Sequence, residues 1–315
     1  MVSRGTGMRT ALLLVLLGLG GCAALPPGQA GEAAPCGWTV EEWRSIDGGY
    51  LDERFVRLRQ PVALDADIEG LWFYDAGHDS IFLLEAVSDR LRRVATLSAS
   101  REVRLRLDGV GQLYLADPRA GSLLRLDTVT GEAQSFARES PLAPTAVALD
   151  RLGRVLVGDG QAGRVVAYNA HGGFEAPVAD DLPPLGGVAG LLARDEQLWI
   201  VDPVERRVHL VEAGRARVVF THSAWVSPGP LADDGRGGVV MADTATRTLY
   251  RLTAEGPVEV LTPVPLDVQR IDDLVGDGRE IYLADGARGQ IRVLDLVPLG
   301  CPVAPGEDAT GDDNP

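Results

Sequence analysis

The sequence predicts an all-β protein, a six-bladed β-propeller built from four-stranded antiparallel blades. The main observation is an internal repeat, in which six strand-like apolar runs end in Asp and successive Asp residues lie 42, 42, 43, 41 and 42 positions apart. Such even spacing over six copies is typical of repeat architectures. The six residues are Asp75, Asp117, Asp159, Asp202, Asp243 and Asp285.

Each repeat contains β-prone runs for four strands. After each Asp come a short turn and a second run, such as residues 122–127, and then a third run, such as residues 174–178. A shorter run, such as residues 146–150, precedes the run that ends in Asp. Four strands of about five residues joined by short turns form one blade. Closing six blades into a ring covers the faces that an open stack would leave exposed.

The two ends of the chain predict how the ring closes. The sixth repeat has three strand-like runs, ending near Leu296, and lacks a fourth. Residues 54–60 lie directly before the first strand of blade one, so this segment is predicted to be the outer strand of blade six. The propeller would then span residues 54–301, and residues 302–315 would form a solvated acidic tail.

Residues 1–21 are typical of a bacterial lipoprotein signal peptide. Arg4 and Arg9 precede an apolar run, residues 11–17, which is too short to span a bilayer. The run is followed by Leu19-Gly20-Gly21-Cys22, which resembles a lipobox, so we expect cleavage before Cys22 and lipidation of its thiol. The alternative is an ordinary secretory signal followed by a chance cysteine.

The segment after Cys22 predicts a tether and a helix. Residues 22–35 are rich in Ala, Pro and Gly, which is typical of a flexible linker. Thr39 and Glu42 fit a capping box, so a short helical lead-in is predicted within residues 36–53. Because Ala23 is not the Asp that resembles an inner-membrane retention signal, we expect a lipid anchor in the outer membrane, facing the periplasm.

The two other cysteines predict a disulfide. An exported protein meets an oxidising compartment, where an even pair of cysteines usually becomes oxidised. Cys36 lies near the closing strand and Cys301 follows the last strand of blade six, so both are expected to meet there. Two free thiols are the alternative.

Composition predicts a packed globular protein and limits its partners. Hydrophobic residues make up 45% and charged residues 24% of the chain, which is enough apolar material for a real core. The formal net charge is −15 at pH 7, whereas binding to phosphates requires a basic surface. No nucleic acid partner is therefore expected.

The repeat resembles the NHL-repeat propellers over about Gln60 to Leu296. The shared pattern is a Gly-rich turn, a strand ending in Asp and a following strand that begins with Arg. The fourth copy departs from it, because Arg194-Asp195-Glu196 replaces the Gly-rich turn. Propellers of this broad group include protein-binding scaffolds as well as metal-centred lactonases and lyases, so the resemblance implies the fold and leaves the activity open.

The repeat Asp residues are predicted to be structural. They end the second strand of each blade, one strand spacing of about 4.8 Å outside the channel strand, and so lie too far apart to share one cation. An Asp at a strand end commonly accepts hydrogen bonds from the following turn. No His falls on the predicted channel strands. We therefore predict no metal site, no cofactor and no catalytic residue.

Candidate binding residues lie where the turns after the Asp residues and the links between blades emerge together. Trp225 occupies the longest link, residues 221–229, and is interpreted equally as a binding anchor or as a ring packed over a blade end. His222 and His78 fall on the same face.

Four charged residues fall on predicted channel strands, namely Arg104, Arg106, Asp272 and Asp273. The pattern does not indicate which alternate residues face the channel. We interpret them as salt-bridged strand edges in preference to a charged feature of the channel, and include Arg104 and Arg106 in the candidate binding face.

Together these features predict a non-enzymatic envelope lipoprotein, anchored to the membrane by lipid, whose propeller offers one face to a protein partner. The alternatives are a metal-centred propeller hydrolase or lyase, and a sensor of a small molecule or glycan.

Overall fold

A computed structural model describes residues 37–137, 141, 143–262 and 266–300. These residues form six four-stranded antiparallel sheets and one two-stranded hairpin. The innermost strands of neighbouring sheets contact one another in an unbroken ring, so the predicted six-bladed β-propeller is confirmed. The described residues contain no helix with the length and apolarity needed to cross a membrane.

The strands are numbered in chain order, and the innermost strand of each blade comes first. The chain begins with β1 (Gly37–Ile46), β2 (Gly48–Leu51) and β3 (Arg54–Arg57). Blade one contains β4 (Pro61–Ala66), β5 (Gly70–Asp75), β6 (Ser80–Glu85) and β7 (Leu91–Thr96). Blade two contains β8 (Arg104–Leu107), β9 (Gln112–Asp117), β10 (Ser122–Asp127) and β11 (Ala133–Ser135). Blade three contains β12 (Pro144–Leu149), β13 (Val155–Asp159), β14 (Arg164–Tyr168) and β15 (Phe174–Pro177).

Blade four contains β16 (Gly190–Arg194), β17 (Gln197–Asp202), β18 (Arg207–Glu212) and β19 (Arg215–Thr221). Blade five contains β20 (Pro228–Asp233), β21 (Val239–Asp243), β22 (Thr248–Leu252) and β23 (Glu259–Val260). Blade six contains β24 (Asp273–Gly276), β25 (Glu280–Asp285), β26 (Gln290–Leu299) and, as its outer strand, β1.

Ring closure by an N-terminal strand is confirmed, but the strand is not the one predicted. β1 pairs antiparallel with β26, from Gly37 opposite Leu299 to Ile46 opposite Ile291. The helix predicted from Thr39 and Glu42 is therefore wrong, because both residues lie in β1. The prediction for residues 54–60 is also wrong, because β3 pairs with β2 in a separate hairpin.

Tertiary pairing explains why β1 is a strand. The ten residues of β26 present an unpaired edge, and β1 satisfies both backbones along that edge, whereas a short isolated helix gains little stability in water. Trp38 and Val40 also pack against the core between blades five and six. The guanidinium of Arg251 lies 5.2 Å from the centre of the Trp38 ring, a cation–π contact that joins β1 to blade five.

The β2–β3 hairpin covers the joint between blades six and one. Leu51 and Val56 pack against the hydrophobic cluster shared by these two blades. The N–H of Tyr50 donates to the carbonyl of Asp89 in blade one (2.7 Å). The joint where the chain closes on itself is thus held by a strand and a hairpin.

One hydrophobic cluster lies at each of the six interfaces between neighbouring blades. Side chains alternate between the two faces of a strand, so each blade packs on both sides. Trp72 and Leu105 meet between blades one and two, and Trp199 and Met241 meet between blades four and five.

The ring has two different faces. We call the upper face the one that carries the turns after the repeat Asp residues together with the links between blades, and the opposite face the lower face. Each innermost strand runs from the upper to the lower face, as shown by Pro61 opposite Asp75 and Ala66 opposite Leu71.

Candidate functional site

Each repeat Asp fastens two loops of the upper face together. Asp75 is fully buried. Its Oδ1 accepts the N–H of Gly77 in the following turn (2.9 Å), and its Oδ2 accepts the N–H of Arg59 in the link that enters the blade (2.8 Å). The same double attachment recurs at Asp117, Asp159, Asp202, Asp243 and Asp285. The sequence pattern predicts the hydrogen bond between each repeat Asp and its turn, but it does not predict the hydrogen bond to the link.

In blades six, one and two, charged side chains form hydrogen bonds with backbone groups at the free edges of the innermost strands. These edges face the channel and would otherwise leave backbone groups unpaired. Asp273 Oδ2 accepts the N–H of Leu64 (2.9 Å), and Asp65 Oδ2 accepts the N–H of Leu107 (2.7 Å). Arg106 Nη1 donates to the carbonyl of Leu64 (3.0 Å). Each bond joins one blade to its neighbour along the channel wall.

Arg104 and Asp273 approach each other across blade one. Three consecutive blades have equivalent residues at this point of the innermost strand, namely Asp273 in blade six, Ala63 in blade one and Arg104 in blade two. Each pairs with the residue that directly precedes the repeat Asp of its blade. The small side chain between them leaves Arg104 Nε 3.9 Å from Asp273 Oδ1. The pair therefore connects blades six and two along the channel wall and is not a salt bridge along the edge of one strand.

The other half of the channel wall is uncharged at these levels. The position of Arg104 is taken by Ala146 in blade three and Gly190 in blade four. The position of Arg106 is taken by Ala148, Leu192 and Ala232 in blades three to five. At these two levels the channel therefore has charges on blades six, one and two, and small or apolar residues on the opposite side.

The lower mouth of the channel is an acidic cavity of about 760 Å³, lined by Asp65, Arg106, Tyr114, Asp150 and Asp233 among others. Burial raises the pKa of Asp65 to about 6, although the guanidinium of Arg106 and the N–H of Leu107 act in the opposite direction. Asp65 is thus a carboxyl group that titrates within the channel.

The raised pKa of Asp65 predicts how the stability of the protein depends on pH. Because the pKa of Asp65 is higher in the folded protein (about 6) than the ordinary value of 3.8 for an aspartate, folding binds a proton between these pH values, and the ionised carboxylate costs stability above about pH 6. Relative to Asp65→Asn, the native protein should gain stability as the pH falls from 7 to about 4. Urea denaturation at several pH values measures the difference, and a constant difference between the two proteins would contradict it.

The upper mouth contains charges of both signs around two cavities of about 620 and 380 Å³. Arg119 pairs with Glu102 (2.6 Å), and Arg270 Nε pairs with Asp272 Oδ1 (2.6 Å). Burial raises the pKa of Asp272, against the effects of Arg270, the N–H of Gly286 and Arg104.

Three buried polar atoms at this mouth lack a hydrogen-bond partner, namely Arg104 Nε, Arg270 Nη2 and Asp273 Oδ1. Arg104 and Arg270 are partly exposed, so the upper mouth has donor capacity that the described residues leave unused, whereas the Asp273 carboxylate is fully buried and lies beside Arg104.

Trp225 does not belong to this surface. It is fully buried in the cluster between blades four and five, so its interpretation as a binding anchor is wrong. Trp225 directly precedes the N–H that Asp243 binds, and Leu185 and Val268 hold the same place in other links and are also buried. Aligning the links backward from each repeat Asp would have predicted a core position.

Both candidate histidines are packed as well. The His222 ring lies beside Trp225, with ring centroids 5.6 Å apart. The His78 side chain is only 15% exposed, with Nδ1 3.2 Å from Asp75 Oδ2. Of the predicted binding residues, the structure brings only Arg104 and Arg106 to the channel.

Several predicted features lie outside the described residues. These are the signal peptide (residues 1–21), the tether (22–35), the tail (302–315), Cys22, Cys36 and Cys301. Within the described residues, no group of three His, Cys, Asp or Glu side chains is placed to hold a metal ion.

The fold defines this chain as a six-bladed β-propeller, and comparison with known proteins supports that class. The sequence matches no protein-family model, and no curated protein is significantly similar to it. Virginiamycin B lyase from Staphylococcus aureus is similar in structure, with a TM-score of 0.60 and 13% identity over 82% of this chain and 100% of that chain.

Two other solved structures are similar to a comparable degree. The PQQ-bound aldose sugar dehydrogenase from Streptomyces coelicolor has a TM-score of 0.62 and 15% identity over 84% of this chain and 100% of that chain. A chain of a nidogen/laminin complex has a TM-score of 0.56 and 17% identity over 76% of this chain and 98% of that chain. At such low identity these similarities establish the fold alone.

Proposed function

We propose that this protein is a non-enzymatic lipoprotein of the cell envelope, anchored in the outer membrane through Cys22, whose upper face binds a protein partner at the channel mouth. The observation that carries the binding role is that the guanidinium groups of Arg104 and Arg270 each keep a nitrogen without a hydrogen bond within the described residues. Buried polar atoms in native proteins nearly always have partners. A peptide segment inserted at the mouth would supply carbonyl acceptors to these two partly exposed guanidinium groups.

The make-up of the mouth suits a peptide segment. Charges of both signs line one side, and Val188 and Pro230 line the other. Such a surface complements a chain that carries backbone amides together with apolar side chains. The structurally similar chain of the nidogen/laminin complex is part of a protein–protein assembly, which supports a partner of this class.

Substitutions at the mouth test the binding role. Arg104→Ala and Arg270→Ala should each reduce the yield of the cross-linked partner at least about tenfold, the effect of losing one charge-assisted hydrogen bond to the partner. Arg151→Ala is the matched control, since Arg151 is a surface Arg paired with Glu196 on the lower face. Quantitative mass spectrometry after cross-linking in native membranes measures the yield. Equal yields from all three folded variants would exclude the upper mouth.

The lipid anchor has its own test. Cys22→Ala should move the protein from the membrane fraction to the soluble fraction, because no other residue of the Leu19–Cys22 motif carries a thiol for acylation. Fractionation of cells followed by immunoblotting measures the distribution. Unchanged partitioning would contradict the anchor.

A propeller hydrolase or lyase is the second candidate, favoured by the fold that this chain shares with virginiamycin B lyase. Elemental analysis of the purified full-length protein distinguishes the two proposals. A stoichiometric divalent metal would favour the enzyme.

A further inference from the structure

Three aromatic side chains close to the start of the propeller are exposed. The exposed fractions are 53% for Trp43, 51% for Tyr50 and 47% for Phe55. Trp72, Trp199 and Trp225, in contrast, are at most 1% exposed. Trp43, Tyr50 and Phe55 form what we call the aromatic patch.

The members of the patch are fixed by their backbone. Trp43 lies at an irregularity in the β1–β26 pairing, between Glu42 and Arg44, which leaves it out of register with β26. Tyr50 and Phe55 are cross-strand partners with ring centroids 5.4 Å apart. Arg44, the neighbour of Trp43, binds the Asp89 carboxylate (2.5 Å), and the Tyr50 N–H donates to the Asp89 carbonyl, so β1 and the hairpin attach to the same residue of blade one.

The core beneath the patch has no room for these rings. Leu51 and Val56 already fill the inner side of the hairpin. A Cβ at Gly49 would come within 2.7 Å of Leu91, and a Cβ at Gly48 would come within 2.7 Å of the Phe55 ring. The rings of Tyr50 and Phe55 consequently stay on the outer side of the hairpin, above a closely packed core.

The patch lies on the outer side of the ring, at the joint between blades six and one, and its hairpin part lies near the lower face. Asp89, which binds Tyr50, belongs to the lower-face turn between β6 and β7. β1 begins at Gly37, opposite Leu299 at the lower face, and Trp43 lies farther up this strand, between the partners of Leu294 and Val293. Residues 22–35, predicted as a flexible tether, connect an acylated Cys22 to the start of β1 in the chain.

We infer that the aromatic patch rests in the interfacial layer of the membrane that holds the lipid anchor, with the upper channel mouth turned away from the bilayer. This inference rests on the anchor of the proposed function. Trp, Tyr and Phe rings favour the membrane–water interface. Arg54 and Arg57 are accompanied by Asp52 and Glu53 in the same hairpin, so the contact is aromatic and does not need anionic lipid.

Fluorescence of the full-length acylated protein tests this contact. The protein is reconstituted into phosphatidylcholine vesicles whose acyl chains carry bromine, a quencher of Trp fluorescence, and is compared with the same protein in unlabelled vesicles. The native protein should lose the Trp43 contribution in brominated vesicles. Trp43→Phe should lose most of this quenching, because Trp38, the other Trp outside the core, is half-buried.

A second variant provides the control for position. Val204 is 64% exposed on the upper face, so Val204→Trp in the Trp43→Phe background should show no more quenching than Trp43→Phe alone. Quenching of this variant as strong as that of the native protein, or no quenching of acylated native protein, overturns the inference. Intact-mass measurement separates the two proposals, because a missing acyl mass contradicts the anchor itself and the inference that rests on it, whereas an acylated protein with unquenched Trp43 contradicts only the patch.

Discussion

Replacing either Cys36 or Cys301 with Ser is expected to destabilise the protein by up to about 5 kcal/mol when no reductant is present. The two cysteines lie outside the described residues, and their disulfide remains a prediction. Its support is the register of blade six, in which Gly37 and Leu299 are partners. Gly37 directly follows one cysteine, and Leu299 lies two positions before the other.

The size of the effect follows from the length of chain that the bond would close. A crosslink between these positions encloses about 265 residues, for which loss of chain entropy in the unfolded state gives about 5 kcal/mol as an upper figure. The bond would also oppose separation of β1 from β26, the step by which a ring closed by a terminal strand opens.

Urea denaturation with and without reductant measures this contribution. The two single variants and the double variant should be equally destabilised, and the native protein should match them only when reduced. Peptide mapping under non-reducing conditions should recover Cys36 joined to Cys301. Complete alkylation of both thiols in unreduced native protein would contradict the disulfide.

Asp243→Ala is expected to destabilise the protein by about 3 to 5 kcal/mol. The Asp243 carboxylate is fully buried. It accepts the N–H groups of Val226 (2.6 Å), Ala245 (3.1 Å) and Thr246 (3.1 Å). Removing it leaves these donors without a partner and frees the link that carries Trp225 into the core.

Asp277→Ala is the matched control. Asp277 also caps a turn, through the N–H groups of Arg279 and Glu280 (both 2.8 Å), but it is exposed, so water replaces the lost acceptor. We expect a loss of about 1 kcal/mol or less. Urea denaturation midpoints measure both effects, and equal losses in the two variants would show that burial of the repeat Asp does not matter.

The fold was predictable because the repeat spacing reflects a physical unit, the blade, and the number of blades follows from the number of repeats. The closing strand β1 was not predictable, because its partner β26 lies at the other end of the propeller sequence. The capping residues Thr39 and Glu42 indicate a helix locally, whereas Leu296 and Asp295, opposite Val40 and Glu41, determine a strand.

The candidate site was predictable only in part. Arg104 and Asp273 stand out in sequence as charges on channel strands, but their approach across Ala63 depends on the closed ring. The burial of Trp225, in contrast, was predictable from the sequence. Trp225 directly precedes the residue whose N–H binds Asp243, and the equivalent residues of other links are core positions.

Photocrosslinking in native membranes tests the central claim, that a protein partner binds at the upper mouth, most directly. A photoreactive residue at Arg119, on the rim of that mouth, is compared with the same residue at Arg151 on the lower face. The account predicts a discrete protein adduct from position 119 and none from position 151. A protein adduct from position 151 alone, or equal adducts from both positions, would contradict it.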